Sequence, residues 1–169
     1  MKTTLYMAQT LNGYIAKKNG DTPWSEEVWK SYYQIAKKFK AIILGRKTYE
    51  VMKEVNEFEK IGNPFTIVLS KSNKSSNDKN INFVKSPKEA IKLLEKNGFK
   101  EALIGGGSKL NASFMKENLI NEIILDIEPQ IFGNGIKLFE EGKFEAKLKL
   151  KAVKNISENV VQLCYEVVK

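Results

Sequence analysis

The sequence predicts an α/β fold: a single domain with a mixed, mostly parallel central sheet flanked by helices and a C-terminal antiparallel strand pair. Three observations predict it. Short apolar runs of strand length alternate with helix-period segments through most of the chain. Two of these runs pass through glycine directly into a helix start, at Leu44-Gly45-Arg46 and at Ile104-Gly105-Gly106-Gly107. The last two strand patterns, 146 to 156 and 160 to 168, are separated only by a short polar turn, as expected of an antiparallel pair. The chain has 169 residues, enough for one well-filled core, and no repeat or linker divides it, so 1–169 is read as one domain.

The elements follow in order. Residues 3 to 9 read as a strand, and 10 to 23 as a loop interrupted by a short apolar piece. Ser25 is placed to cap a helix whose first turn carries Glu26 and Glu27, both favourable at the positive end of the dipole. Val28, Tyr32, Ile35 and Phe39 form its apolar stripe, with Trp29, Tyr33 and Ala36 beside it. Residues 41 to 45 are a fully apolar strand, and 46 to 54 a helix opening from its end. A strand at 65 to 70 is followed by a polar loop at 71 to 80 and a strand at 81 to 84. Ser86-Pro87-Lys88-Glu89 joins an N-cap, a proline at the first helical position and a capping-box glutamate, and Gly98 ends that helix. Residues 101 to 107 run from strand into glycine loop, ahead of a helix from 108 to 117. The strand at 121 to 132 is long, with Pro129 marking a bend or an edge. Alternation of lysine and apolar residues over 146 to 156 predicts a half-exposed strand.

Composition narrows the chemistry. With no histidine and one cysteine, Cys164, the chain has no Ser-His-Asp or Cys-His set, no zinc set and no internal disulfide. The formal charge of +8 is spread as lysine along the whole length, and Arg46 is the only arginine among 28 basic residues. That distribution fits a solvated surface better than nucleic-acid binding, for which charge is the sole argument. No secretory signal pattern or membrane-length apolar run is visible, so a soluble cytoplasmic protein without membrane or nucleic-acid partners is expected.

Three strand ends share a polar signature. Gly45-Arg46-Lys47-Thr48 puts two cations and a hydroxyl at a helix start. Gly105-Gly106-Gly107-Ser108 offers amides without side chains at another, and Ser70-Lys71 adds a hydroxyl and an ammonium at a third. In an α/β sheet these are the positions at which a phosphorylated nucleotide binds.

Together with Leu11-Asn12-Gly13-Tyr14-Ile15-Ala16, Pro23-Trp24 and Pro129-Gln130-Ile131-Phe132-Gly133-Asn134-Gly135, these motifs resemble the dihydrofolate reductase-like superfamily. Within it, the chain looks closest to the riboflavin-biosynthesis reductase branch, the C-terminal domain of bifunctional deaminase-reductases. The resemblance spans essentially the whole chain. It implies an NADPH-dependent reductase acting on a small heterocyclic substrate, and a homodimer. Carried over by motif, Arg46, Lys47 and Thr48 would hold cofactor phosphates. Gly45, Gly105, Gly106, Gly107 and Ser108 would pass under the pyrophosphate and nicotinamide ribose, and Ser70 and Lys71 would lie near the adenosine end. Ala8 and Ile15 would meet the nicotinamide through backbone groups, under cover of the 10 to 23 loop.

The chain also departs from its relatives. Where true dihydrofolate reductases carry a helix carboxylate, an ungapped count places Trp29, which argues against a folate reductase. Asn12 stands where the riboflavin branch commonly has aspartate. Asp126 interrupts an apolar strand, with Glu128 on the same face. It reads either as an edge residue paired with lysine or as a pocket carboxylate. Asn12 and Asp126 are thus the catalytic candidates, and Trp29 and Tyr33 the substrate-side candidates. Two alternatives remain open at this stage: a regulatory module that binds the cofactor without turnover, and a nucleic-acid binder.

Overall fold

A computed structural model describes residues 1 to 72 and 75 to 169. Asn73 and Lys74, inside the tract read as a loop, lie outside the described residues. The elements run β1 (Lys2–Thr10), β2 (Tyr14–Ala16), α1 (Glu26–Ala36), β3 (Ala41–Gly45), α2 (Arg46–Glu54), α3 (Glu57–Lys60) and β4 (Phe65–Leu69). They continue with β5 (Ile81–Val84), α4 (Pro87–Lys96), β6 (Glu101–Ile104), α5 (Ser108–Lys116), β7 (Glu122–Glu128), β8 (Ile136–Lys137), β9 (Lys147–Asn155) and β10 (Val161–Val168).

Eight strands form one sheet in the order β5-β4-β3-β6-β1-β7-β10-β9, and β2 pairs with β8 in a small antiparallel ribbon. All pairings from β5 to β7 are parallel, and β10 runs antiparallel to both β7 and β9. The predicted mixed, mostly parallel sheet with its C-terminal antiparallel pair is the observed one. Because the central strands are covered on both faces, β3 is apolar along its whole length, and β4 and β6 nearly so, rather than alternating. On one face, Ile35 and Ala36 of α1 and Tyr49 and Met52 of α2 pack on Tyr6, Ile42, Leu44 and Leu103. On the other, Ala90 and Leu94 of α4 and Leu110 and Phe114 of α5 pack on Leu5, Ile43, Ile67 and Ile104.

Chain order places a switch point. From β3 the chain leaves through α2 toward β4, and from the neighbouring β6 it leaves through α5 toward β7 on the other side. Connections that diverge from adjacent strands open a crevice beyond their carboxyl ends.

Some elements differ from expectation. The α1 stripe extends on paper to Phe39, but the helix stops at Ala36, where the Lys37 amide closes the last turn on Tyr33 and Ile35. Phe39 still packs against the same core. The short α3 and β8 were not anticipated, since neither is long enough to display a period. β7 ends at Glu128, ahead of Pro129, which cannot donate to a ladder. β9, expected to be half-exposed, is exposed on both faces, because it is an edge strand and joins none of the buried clusters.

Candidate functional site

The strongest local feature lies at the switch point. β3 and β6 stay in register past their ends: the Gly105 amide donates to the Ile43 carbonyl at 3.0 Å, and the Gly45 amide donates to the Gly106 carbonyl at 2.8 Å. Gly106 has φ +85°, and a Cβ there would stand 2.9 Å from Met7 Sδ, so only glycine fits. The Gly106-Gly107 peptide is cis. A Cβ on Gly107 would lie 3.6 Å from Thr48 Oγ1, which shows how closely the starts of α2 and α5 approach each other.

These two helices begin differently from the other long ones. Ser25 accepts a hydrogen bond from the Val28 amide at the start of α1, and Ser86 accepts one from the Glu89 amide at the start of α4; both first turns are acidic. Gly45 and Gly107, which begin α2 and α5, offer no side-chain cap, and neither first turn holds an acidic residue. The first-turn amides of α2 and α5 therefore meet across the crevice with their partial positive charge uncompensated by a capping oxygen.

Arg46 and Lys47 are exposed beside this crevice. One Arg46 guanidinium nitrogen donates to both Glu50 oxygens, at 3.1 and 3.2 Å, so the visible tie stays within α2. Farther along the same sheet edge, Ser70 follows β4. Its hydroxyl is shared with Ser72 at 2.8 Å, and Lys71 beside it is exposed. Glycine loop, α2 start and Ser70-Lys71 thus follow the strand order β6-β3-β4 as one continuous track.

At the other end of the track, Ala8 is buried against Val28 and Val160, and Ile15 is buried on β2. The segment holding Ile15 is stitched to the segment after β7. Leu11 donates to the Gln130 carbonyl, β2 pairs with β8, and Trp24 stacks on Phe132 with centroids 6.1 Å apart. Asn12 is central to this seam. Its Nδ2 donates to the Phe132 carbonyl at 2.7 Å, while its Oδ1 accepts from the Phe132 amide at 3.2 Å and from Thr10 Oγ1 at 2.9 Å. A carboxylate has no proton for the first of these bonds, which accounts for asparagine at this position.

Asp126 lies beneath α1 with no exposed surface. Tyr6 donates its hydroxyl to Oδ2 at 2.6 Å, and Gln162 Nε2 donates to Oδ1 at 2.8 Å and to Ser31 Oγ at 3.1 Å. Burial, then the Asp126 charge and hydrogen bond, push the Tyr6 phenol far above its ordinary range. Neither sequence expectation describes this carboxylate: among the described residues it pairs with no lysine, and it lines no open surface. Any effect on a ligand passes through Tyr6 or Gln162. Glu128, on the same face as expected, accepts from both the amide and the hydroxyl of Ser25, at 3.2 and 2.9 Å, and so pins the start of α1 to the end of β7.

Ser31 marks the flank of α1 that faces β10, which leaves Trp29 and Tyr33 on the opposite flank, toward α2. The two rings stack with centroids 6.2 Å apart. On α2 and the Val55 that caps its end, Thr48, Val51 and Val55 fall at i, i+3 and i+7, one stripe that starts beside Gly107. Val51 is 60% exposed and Val55 54%. An exposed apolar strip therefore runs along α2 from the glycine crevice. Sequence reasoning missed Val51 and Val55, whose signal was being apolar yet out of phase with the buried Tyr49 and Met52.

Among the described residues no helix is long and apolar enough to cross a membrane. Residues 1–162 match the family described as the RibD C-terminal domain. The chain is 34% identical over 173 residues to the uncharacterized protein YwjB of Bacillus subtilis (strain 168), covering 97% of each. Its fold superposes with TM-score 0.76 on a diaminohydroxyphosphoribosylaminopyrimidine deaminase/5-amino-6-(5-phosphoribosylamino)uracil reductase from Thermotoga maritima, at 18% identity over 99% of this chain and 56% of that one. It also superposes with TM-score 0.70 on dihydrofolate reductase from Enterococcus faecalis in complex with NADP(H), at 20% identity over 99% of this chain and 97% of that one. The fold is dihydrofolate reductase-like, and the chain belongs to the RibD C-terminal domain family.

Proposed function

We propose that this chain is an NADPH-dependent reductase that reduces a C=N or C=O bond in a small heterocyclic substrate of pterin or ribosylaminopyrimidine type. The observation that carries the reading is the pair of helix N-termini, α2 and α5, meeting without side-chain caps across a glycine ladder at the sheet's switch point. Backbone amides and a closely approachable glycine surface suit a pyrophosphate, and exposed cations follow along the edge for further phosphates. The residues present therefore fit a phosphorylated dinucleotide.

In this reading, Arg46, Lys47 and Thr48 bind phosphate at the start of α2. Gly45, Gly105, Gly106, Gly107 and Ser108 form the surface under the pyrophosphate and adjoining ribose. Ser70 and Lys71 meet the 2'-phosphate end, and backbone groups of Ala8 and Ile15 orient the nicotinamide. Bound NADPH supplies the hydride. Asn12 holds the covering loop closed against the segment after β7 and so excludes water. Trp29 and Tyr33 stack on the substrate ring. Asp126 serves catalysis by fixing the Tyr6 hydroxyl rather than by meeting substrate itself.

A homodimer belongs to the same proposal. Leu148, Leu150, Val153 and Val168 are exposed on the β9–β10 end of the sheet, apolar surface of the kind a second copy would cover. Steady NADPH oxidation across a panel of dihydropterins, dihydrofolate and ribosylaminopyrimidines tests the reductase reading. Cofactor binding with no oxidation of any panel member would favour a regulatory module instead.

A further inference from the structure

The first turn of α5 borders the glycine crevice and also holds the segment that supports the covering loop. Asn111, the fourth residue of α5, has no exposed surface. Its backbone amide donates to the Gly107 carbonyl at 3.0 Å, directly behind the glycine loop. Its side-chain Nδ2 donates to the Leu138 carbonyl at 2.8 Å. Two residues further on, the Glu140 amide donates to the Ser108 carbonyl at 3.3 Å, and Lys109 Nζ lies 3.4 Å from Glu140 Oε1. Residues 138 to 140 are thus fastened to one helical turn at three points. The same segment is fastened to the loop of residues 10 to 23. The Leu138 amide donates to the Gly13 carbonyl at 3.2 Å, and β8, just before Leu138, pairs with β2 through Tyr14 with Lys137 and Ala16 with Ile136. A run of hydrogen bonds therefore leads from Gly107 through Asn111 and Leu138 to Gly13.

Stability alone does not account for an asparagine here. Its Oδ1 is buried and has no hydrogen-bond partner among the described residues. The cost of that orphaned oxygen is comparable to the gain from the Nδ2 bond, so the amide adds little net stability. What it contributes is the position of Leu138. We infer that Asn111 is a positioning residue that couples an occupied pyrophosphate seat to closure of the 10 to 23 loop. The inference rests on the reductase reading above and deepens it, by stating how the phosphate end of the site acts on the nicotinamide end. The first turn of a helix frays when its amides lack partners. A phosphate on the α5 amides steadies the turn that presents Asn111. Asn111 then holds Leu138, and Leu138 with β8 holds Gly13 and β2. Phosphate binding and loop closure favour each other by the same factor, whichever comes first.

The test uses 2'-phospho-ADP-ribose, which carries the phosphates of NADPH without the nicotinamide that would touch the loop directly. Hydrogen exchange followed by mass spectrometry is measured over residues 14 to 17 and 136 to 138 of the full chain, with and without a saturating amount of this probe. In the natural chain the probe should slow exchange in both segments by about fivefold or more. In Asn111→Leu, which keeps the volume and loses the bond, the slowing should fall below about twofold, while Tm changes little. Asn111→Ala should lose the slowing in the same way. Leu94→Val, a change to a buried residue of α4, should lower Tm yet keep the full slowing. Full slowing in either Asn111 variant would overturn the inference, as would probe binding that leaves exchange over 14 to 17 unchanged in the natural chain. Failure of both Asn111 variants to fold would make Asn111 a structural residue and overturn it too. NADPH binding without probe binding would also remove it. The reductase reading survives all of these outcomes. Should neither the probe nor NADPH bind, that reading falls together with the inference, so the two failures are distinguishable.

Discussion

Arg46 opens α2 at the crevice, and among the described residues its side chain bonds only to Glu50, one turn along the same helix. A solvent-exposed pair at this spacing contributes roughly 0.3–0.5 kcal/mol, so Arg46→Lys should leave Tm nearly unchanged. The planar fork that grips a phosphate through parallel bonds would nevertheless be gone. NADPH affinity is expected to fall by about tenfold, near 1.4 kcal/mol, as measured by fluorescence titration. Loss of stability with intact affinity would make Arg46 a structural residue. Tyr6 behaves oppositely. Tyr6→Phe leaves Asp126 buried with Gln162 as its remaining donor and should destabilise the fold by on the order of 1–3 kcal/mol, measurable by urea unfolding.

The same tyrosines predict a pH dependence. Tyr6 and Tyr32 are held above their ordinary value of 10.0, chiefly by burial. The unfolded chain releases these protons near that value while the folded chain keeps them. Their contribution is therefore fully present below about pH 10 and is lost as pH rises beyond it. Of the six tyrosines, these two should form tyrosinate only together with the loss of far-UV circular dichroism. If all six titrate before the fold is lost, the burial argument is wrong. The Asp126 network was invisible in the sequence for a physical reason. Tyr6, Ser31, Asp126 and Gln162 come from three strands and a helix, and only sheet register brings them together.

At the scale of elements, the glycine ladder and the two helix starts were legible because glycines, cations and hydroxyls stand side by side at the ends of apolar runs. Local sequence suffices for a site made of local backbone. The surface of α2 was less legible: Val51 and Val55 stand exposed out of phase with the buried Tyr49 and Met52, and the four-residue α3 that buries Glu57 is too short to display a period. The covering seam had only Asn12 as its visible clue, and its partner Phe132 is 120 residues away. Asn12→Asp should lose the bond to the Phe132 carbonyl and set a charge against that oxygen, loosening the seam by roughly 1–3 kcal/mol. Faster proteolysis between residues 10 and 23, with the sheet's hydrogen-exchange protection unchanged, is the expected outcome. Protection lost throughout would mean that the seam supports the whole fold.

Across the whole molecule, strand order determines what the parts can do together. Insertion of β6 between β3 and β1 brings the glycine loop beside α2, and α1 and α2 pack on one face of the sheet. The alternation of strand and helix made this architecture readable, but the alternation in β9 misled, because an edge strand has no cover to give its apolar residues. If those residues meet a second copy, Leu150→Lys should shift the chain from dimer to monomer in light scattering. A natural chain that is already monomeric at tens of micromolar, an order-of-magnitude range, would remove that proposal.

The central claim is that the facing starts of α2 and α5 hold a phosphorylated dinucleotide. Titration of the purified chain with NADPH and NADH, followed by fluorescence, tests it most directly. The account predicts saturable binding at or below tens of micromolar, as an order of magnitude, with clear preference for NADPH. No saturable binding of either cofactor in that range would contradict it.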